Sequence, residues 1–254
     1  MGTNHKVADG SSKPSGPQVH PKAYELKEGE SKFTFKHIYT EYSRFHADTS
    51  NIIIHCVFVP LILFSMFGLA PYFPKLNPIK IHSDGSFEFG AFDPFTESKD
   101  GNVIVSVTHI QWFFASFVYL WCDLLCGVLT SAMGVSVCIA SSWVQSQDTV
   151  EGSPLFGIAY NFLLIVFIVG WSSQFFGHGV YERRAPALLT NFFFMYIGPF
   201  FVVFEELRYL FNYKDEEVSA LQNTIEADIA FYRQDRGYPQ RDGINVVLNN
   251  KKAM

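Results

Sequence analysis

LFGIAYNFLLIVFIVGWSSQFFGHGVYERRAPALLTN, Leu155–Asn191, joins a long apolar run to a polar stripe. No charged residue occurs from Ser153 to Val180, and a run of roughly 20 apolar residues is what a ~30 Å hydrocarbon core requires. Where the run ends, Gln174, His178 and Glu182 follow one another every fourth residue. On a helix these positions lie along one stripe. Three metal-competent or hydrogen-bonding side chains therefore converge at the end of a membrane-length helix, and the stripe reads as a site at a bilayer boundary.

The same charge pattern recurs along the 254 residues. Asn51–Phe73 and Asn191–Phe204 carry no charge, and Val103–Val144 carries one, Asp123. The expected fold is all-α, a multi-pass transmembrane helical bundle. Its crossings fall at about Asn51–Phe73, His109–Thr130, Ser131–Gln147 and Leu155–Gly177. A last apolar segment, Asn191–Phe211, is broken at Gly198-Pro199. Residues 1–31, rich in Gly, Ser, Pro and Lys, read as a disordered tail. Residues 32–213 form the membrane domain, with an acidic, Gly- and Pro-containing loop at 74–102 that reads as a small lid or an insertion. Residues 214–254 form a polar tail with a helical-looking stretch at Asp215–Arg233. Ser31–Ala47, mixed aromatic and basic, reads as an amphipathic helix at the interface.

The basic N-terminal flank and Arg183/Arg184, set against loops poor in Lys and Arg, place the N-terminus and Arg183/Arg184 in the cytosol. Four crossings satisfy both. The closing Lys251-Lys252-Ala253-Met254 resembles a di-lysine retrieval signal of endoplasmic reticulum membrane proteins, which requires a cytosolic tail and hence re-entry of the last apolar segment. A net charge of −5 offers no basic surface for nucleic acid. Cys56, Cys122, Cys126 and Cys138 all lie in apolar segments without zinc-finger spacing and read as reduced packing residues. One intramembrane carboxylate and no internal repeat argue against a transporter.

A second constellation lies in YSRFHADTSNIIIHCVFVP, Tyr42–Pro60. Unbroken helix would put His46 and His55 on opposite faces. The intervening Asp48-Thr49-Ser50-Asn51 supplies several N-cap residues, so a break is expected there, letting His46 fold back beside His55. Asn51, four residues before His55, suits an amide that orients the ring of a metal-bound histidine. Imidazole is the commonest ligand for Fe, Zn and Cu. A histidine near an apolar span otherwise needs a water or carbonyl partner. His46, His55 and His178 sit at ends that share one face and form the candidate metal site. His109 reads as an interface residue on the other side. Asp123 reads as a metal ligand, a partner of a ligand, or a cap for the turn before the third span.

Together the two histidine motifs resemble the endoplasmic reticulum membrane 2-hydroxy fatty acid (2-hydroxypalmitic acid) dioxygenases of fatty acid α-oxidation. His46, Asn51, His55 and Pro60 meet the first pattern. Gln174, Phe175, Gly177, His178, Glu182 and Pro186-Ala187-Leu188-Leu189 meet the second. Gly198–Glu205 meets a closing Gly-Pro-Phe-Phe pattern, and Cys122-Asp123 with Gly127 keeps a further feature in part. The resemblance spans about Phe33–Leu210. It implies an Fe(II)-dependent dioxygenase that uses O2 to shorten a 2-hydroxy fatty acid by one carbon. By that resemblance His46, His55 and His178 hold the metal and leave positions open for substrate and O2. Glu182 is a further ligand or a general base, Asn51 and Gln174 orient rings or bind the carboxylate, and Arg183 and Arg184 attract the headgroup. The residues alone leave two alternatives: a metal-dependent membrane hydrolase, and a non-catalytic lipid-binding or scaffold protein whose polar stripe holds helices together.

Overall fold

A computed structural model of the chain describes residues 34–97, 102–189 and 193–239. The N-terminal tail 1–31 and the terminal lysines lie outside the described residues. The helices in order are α1 Phe35–Ser43, α2 Thr49–Leu69, α3 Pro94–Glu97, α4 Val107–Cys122, α5 Leu124–Ser146, α6 Ala159–Gly177, α7 Phe193–Phe211 and α8 Asp215–Asp235. Three short strands, β1 Ile79–Ile81, β2 Phe87–Phe89 and β3 Val103–Val105, form an antiparallel sheet of order β2-β1-β3. The molecule is mostly helical rather than all-α. The 74–102 loop owes two strands to the alternating IKI and FEF segments, a period of two that suits a pleated surface, and the third is the β-branched run Val103–Val105 just beyond it. Asn77 anchors this loop, its buried amide donating to the carbonyls of Pro71, Phe73 and Phe92 at 3.1–3.2 Å.

Among the described residues, three helical stretches are long and apolar enough to cross a membrane: Thr49–Tyr72, Leu124–Thr149 and Ala159–Glu182. Their outer faces expose large apolar side chains, among them Ile53, Val57, Ile139, Ile165 and Val169, as surfaces facing hydrocarbon would. α2 packs against α6 and α5, and α4 packs against α5. The expected second and third crossings are divided differently from the sequence reading. The break falls at Asp123, not after Thr130, because the Asp123 carboxylate caps α5 by accepting from the Cys126 N–H at 2.8 Å. α4 is left with 16 residues, or about 24 Å of helix, short of a ~30 Å core.

Two other expectations change. α1 is amphipathic, but Phe35, Ile38, Tyr39 and Tyr42 pack into protein, against Phe200, Phe201 and Phe204 of α7 and Val218, Leu221, Ile225 and Ile229 of α8. And α7 continues through Gly198-Pro199 instead of breaking there. Proline removes one helical hydrogen bond and crowds the carbonyl four residues back, yet Ile197 and Phe200–Phe204 are buried on both sides of it, and that packing holds the helix together.

The α4–α5 hairpin is closed by a contact that admits no side chain. A Cβ at Gly127 would stand 2.6 Å from the backbone of Tyr119 and Leu120, and backbone cannot swing aside. Gly127→Ala is therefore expected to destabilise the protein by about 1–3 kcal/mol, the range for overpacking a close contact. Thermal unfolding in detergent checks this, and an unchanged midpoint would mean that the hairpin is not held at this point.

Candidate metal centre

The sequence between α1 and α2 bends as the N-cap run demands. α1 ends at Ser43, and the Asp48 carboxylate caps α2 by accepting from the Ser50 N–H at 2.9 Å. The turn carries His46 back beside His55, and α6 brings His178 to the same end of the bundle. All three rings are buried, and one nitrogen from each lies within 4.8 Å of the others. Ring centroids are 4.5, 4.8 and 5.0 Å apart, with the planes crossed at 73–88°.

Hydrogen bonding fixes what two of these rings present. His46 Nδ1 lies 3.0 Å from the Tyr42 carbonyl oxygen, and His55 Nδ1 lies 2.8 Å from that of Asn51. A carbonyl only accepts, so both Nδ1 atoms carry the proton. Burial, and then the neighbouring His55 and His178, push His46 well below the ordinary histidine range, so it stays neutral. Its Nε2 then presents a bare lone pair to the Nε2 of His55 at 3.1 Å. Two facing lone pairs repel unless a cation lies between them. Two nitrogens each ~2.1 Å from one ion, at about a right angle, are roughly 3 Å apart. His178 Nδ1 is buried with no hydrogen-bond partner among the described residues. The donor set fits a metal ion, and the buried His46/His55/His178 group could hold one.

Tyr42 braces the site. Its ring stacks on His46 at 4.0 Å and on Phe201 at 4.1 Å. Sequence reading missed it, though a residue four before a candidate ligand is where a helical carbonyl partner falls.

The stripe predicted for Gln174, His178 and Glu182 breaks after His178. Residues His178–Glu182 form a π-turn, whose wider winding turns each residue through a smaller angle than an α-helix. Gln174 and His178 line a cavity, while Glu182 is turned toward the start of α2. There its Oε1 accepts from the N–H groups of Ala47 and Asp48 at 2.8 and 2.7 Å and from the Asn51 amide at 3.2 Å. Glu182 thus serves the helix terminus, where a carboxylate is favourable, and is not one of the grouped metal-competent residues. Asn51 orients His55 through its backbone carbonyl rather than its amide. Its side chain lies against Gly177, where a Cβ would collide with Oδ1.

Arg183 and Arg184 do not line the cavity, contrary to the headgroup role expected of them. Arg184 donates to the Arg44 carbonyl and to Asp228 at 3.0 and 3.3 Å, and it stacks between Phe45 and Tyr232. Arg183 is exposed beside Tyr238. Asp123 also stands apart from the histidines. Lys214 Nζ lies 2.8 Å from its carboxylate, and the Tyr213 hydroxyl donates to it at 3.0 Å, so of the three expected roles the cap is the one realised. Asp228 was not anticipated. Almost wholly buried, it takes a two-pronged contact from Arg44 at 2.9 and 2.9 Å, tying α8 to the turn that carries His46.

The cavity beside the histidines has a volume of about 130 Å³. It runs along α2 past Val59, Ile62 and Met66 to Phe67, and is closed in by Trp112, Ala115 and Phe194. Its lining is overwhelmingly apolar. Two polar atoms stand out: Gln174 Nε2 and Trp171 Nε1 belong to lining residues and are buried without a hydrogen-bond partner among the described residues.

Fold and site thus define a mostly helical protein with membrane-length helices and a buried three-histidine group opening on an apolar cavity. Residues 33–210 match the family described as 2-hydroxy-palmitic acid dioxygenase Mpo1-like, and the chain belongs to that family. It is similar to the 2-hydroxy-palmitic acid dioxygenase MPO1 of Saccharomyces cerevisiae, 28% identical over 189 residues, which covers 74% of this chain and 85% of the yeast protein. No solved structure matches the chain.

The cap gives a test of the frame. Glu182→Gln removes the charge from three hydrogen bonds, each worth about 1.5–3 kcal/mol when charge-assisted. The expected result is a lower unfolding midpoint together with weaker metal retention, of the 10–100-fold size typical for a residue that positions ligands. Lost turnover with unchanged stability and metal content would instead return Glu182 to the chemistry.

Proposed function

We propose that this protein is an Fe(II)-dependent dioxygenase of the endoplasmic reticulum membrane that cleaves a 2-hydroxy fatty acid between C1 and C2, yielding the one-carbon-shorter acid. The observation that carries the reading is the facing pair of bare Nε2 atoms, with His178, at the polar end of an apolar cavity. A ligand suited to such a space has a polar head and an apolar body. Family membership supplies the substrate class.

His46, His55 and His178 would hold the iron, and iron supplies the one-electron chemistry that O2 requires. Three protein ligands leave positions open, as catalytic iron sites do. The Tyr42 and Asn51 carbonyls hold the Nδ1 protons of His46 and His55, so both rings remain neutral donors through Nε2. Gln174 Nε2 and Trp171 Nε1 are the donors left to bind the carboxylate or hydroxyl oxygens of the substrate. The apolar walls exclude water from the reacting carbon and align the tail along α2. If C1 leaves as CO2, the hydroxy acid and O2 balance the shorter acid, CO2 and one water, with no added reductant.

Purified protein loaded anaerobically with Fe(II) is expected to take up O2 with 2-hydroxypalmitate and release the shorter acid. His178→Ala should abolish uptake while the metal-free protein unfolds at an unchanged temperature. Iron bound without uptake would move the assignment to another substrate or to hydrolysis, and a protein that binds no metal would favour a scaffold. Gln174→Leu is expected to raise KM about tenfold, the equivalent of about 1.4 kcal/mol, with iron content unchanged. Ala115→Phe should shift preference toward shorter 2-hydroxy acids and spare turnover of the short ones. Equal losses at every chain length would mean that the tail does not lie along this wall.

A further inference from the structure

The small sheet between α2 and α4 has one wholly apolar face. Its register places Ile79 opposite both Phe89 and Val105, and Ile81 opposite both Phe87 and Val103. Directly paired residues point to the same side of a sheet, so six large apolar side chains share one surface. Phe87, Phe89 and Val103 are 66%, 77% and 56% exposed. The opposite side is a different environment. Lys80 pairs with Glu88 at 3.1 Å and lies over the buried ring of Phe92. Among the described residues, the protein's own loop thus covers part of the polar face through Phe92, with Glu88 left half exposed, and leaves Phe87, Phe89 and Val103 of the apolar face open.

Position in the chain identifies what covers it. Only Ser106 separates β3 from α4, which exposes Phe113, Phe114 and Phe117 within its first three turns. On the other side the sheet follows within ten residues of the end of α2, past the exposed Phe73 and Leu76. The sheet therefore sits at the membrane boundary, at the end of the bundle away from the histidines. The chain's own tails begin at the other end, where α1 and α8 pack on one another beside Arg44 and Asp228. We propose that this sheet face rests on the bilayer, with Phe87 and Phe89 inserted among the lipid headgroups, where aromatic side chains are favoured. An apolar patch of this kind on a water-facing sheet would mark an interaction site or an aggregation hazard. Contact with lipid accounts for it without a further protein.

The test uses the full chain reconstituted in phosphatidylcholine vesicles, with the half-buried Cys56 and Cys138 replaced by Ala. A nitroxide is attached at Phe89→Cys or, as the water-exposed reference, at Asp84→Cys in the β1–β2 turn. Spin-label power saturation then compares contact with O2, which concentrates in lipid, and with a water-soluble chromium(III) complex. The label at 89 is expected to favour O2 and the label at 84 to favour chromium, with bound metal equal in both variants. Equal chromium access at the two positions would overturn the proposal. So would shielding of position 89 from both reagents together with label–label broadening, which would assign the face to a second copy of the chain. A variant that loses its metal is replaced by Phe87→Cys, on the same face.

Discussion

Everything else around the site depends on one arrangement: two histidine nitrogens held lone pair to lone pair, with a third histidine beside them. Left alone this is repulsive, and the protein spends considerable structure to maintain it. The Tyr42 and Asn51 carbonyls pin the far side of the His46 and His55 rings, and Tyr42 stacks one of them against α7. Glu182 holds the intervening turn by its N–H groups, and Asp228 clamps the same turn to α8 through Arg44. Replacing either carboxylate would strand buried donors, a change that is usually strongly destabilising.

The rest of the architecture delivers those groups to one end. α2 begins and α6 finishes there. Between them runs a mostly apolar cavity with the three histidines, Gln174 and Trp171 toward one end and Thr108 and Gln111 of α4 also in its lining. The proposed amphiphile is oriented with its head toward the histidines, where Gln174 Nε2 and Trp171 Nε1 are buried without a partner among the described residues. The orientation follows from the cost of burying a polar group without a partner.

Much of this was legible in the sequence. The charge-free runs marked the long helices, and the Asp48–Asn51 capping cluster implied the bend that brings His46 to His55. The roles of the neighbouring polar residues were not legible, for specific reasons. A π-turn has no composition signal, so Glu182 was read as continuing the stripe when it turns away to cap α2. Arg184 was read as a headgroup attractor and Asp228 was not singled out, because a charge gives no sign of its buried partner 44 residues away. Asp123 was visible as an isolated carboxylate, and its capping role was one of three readings. The IKI and FEF alternation in the 74–102 region was present but masked by the surrounding glycines, prolines and acids. Gly198-Pro199 looked like a break because local propensity is read without the packing of Phe200, Phe201 and Phe204 that overrides it.

X-ray absorption at the iron K-edge of the anaerobically purified protein tests the central claim most directly. The account predicts about one iron per chain with a first shell containing three imidazole nitrogens, falling to two in His46→Ala. A zinc-only protein, or an iron shell unchanged by removal of His46, would contradict it.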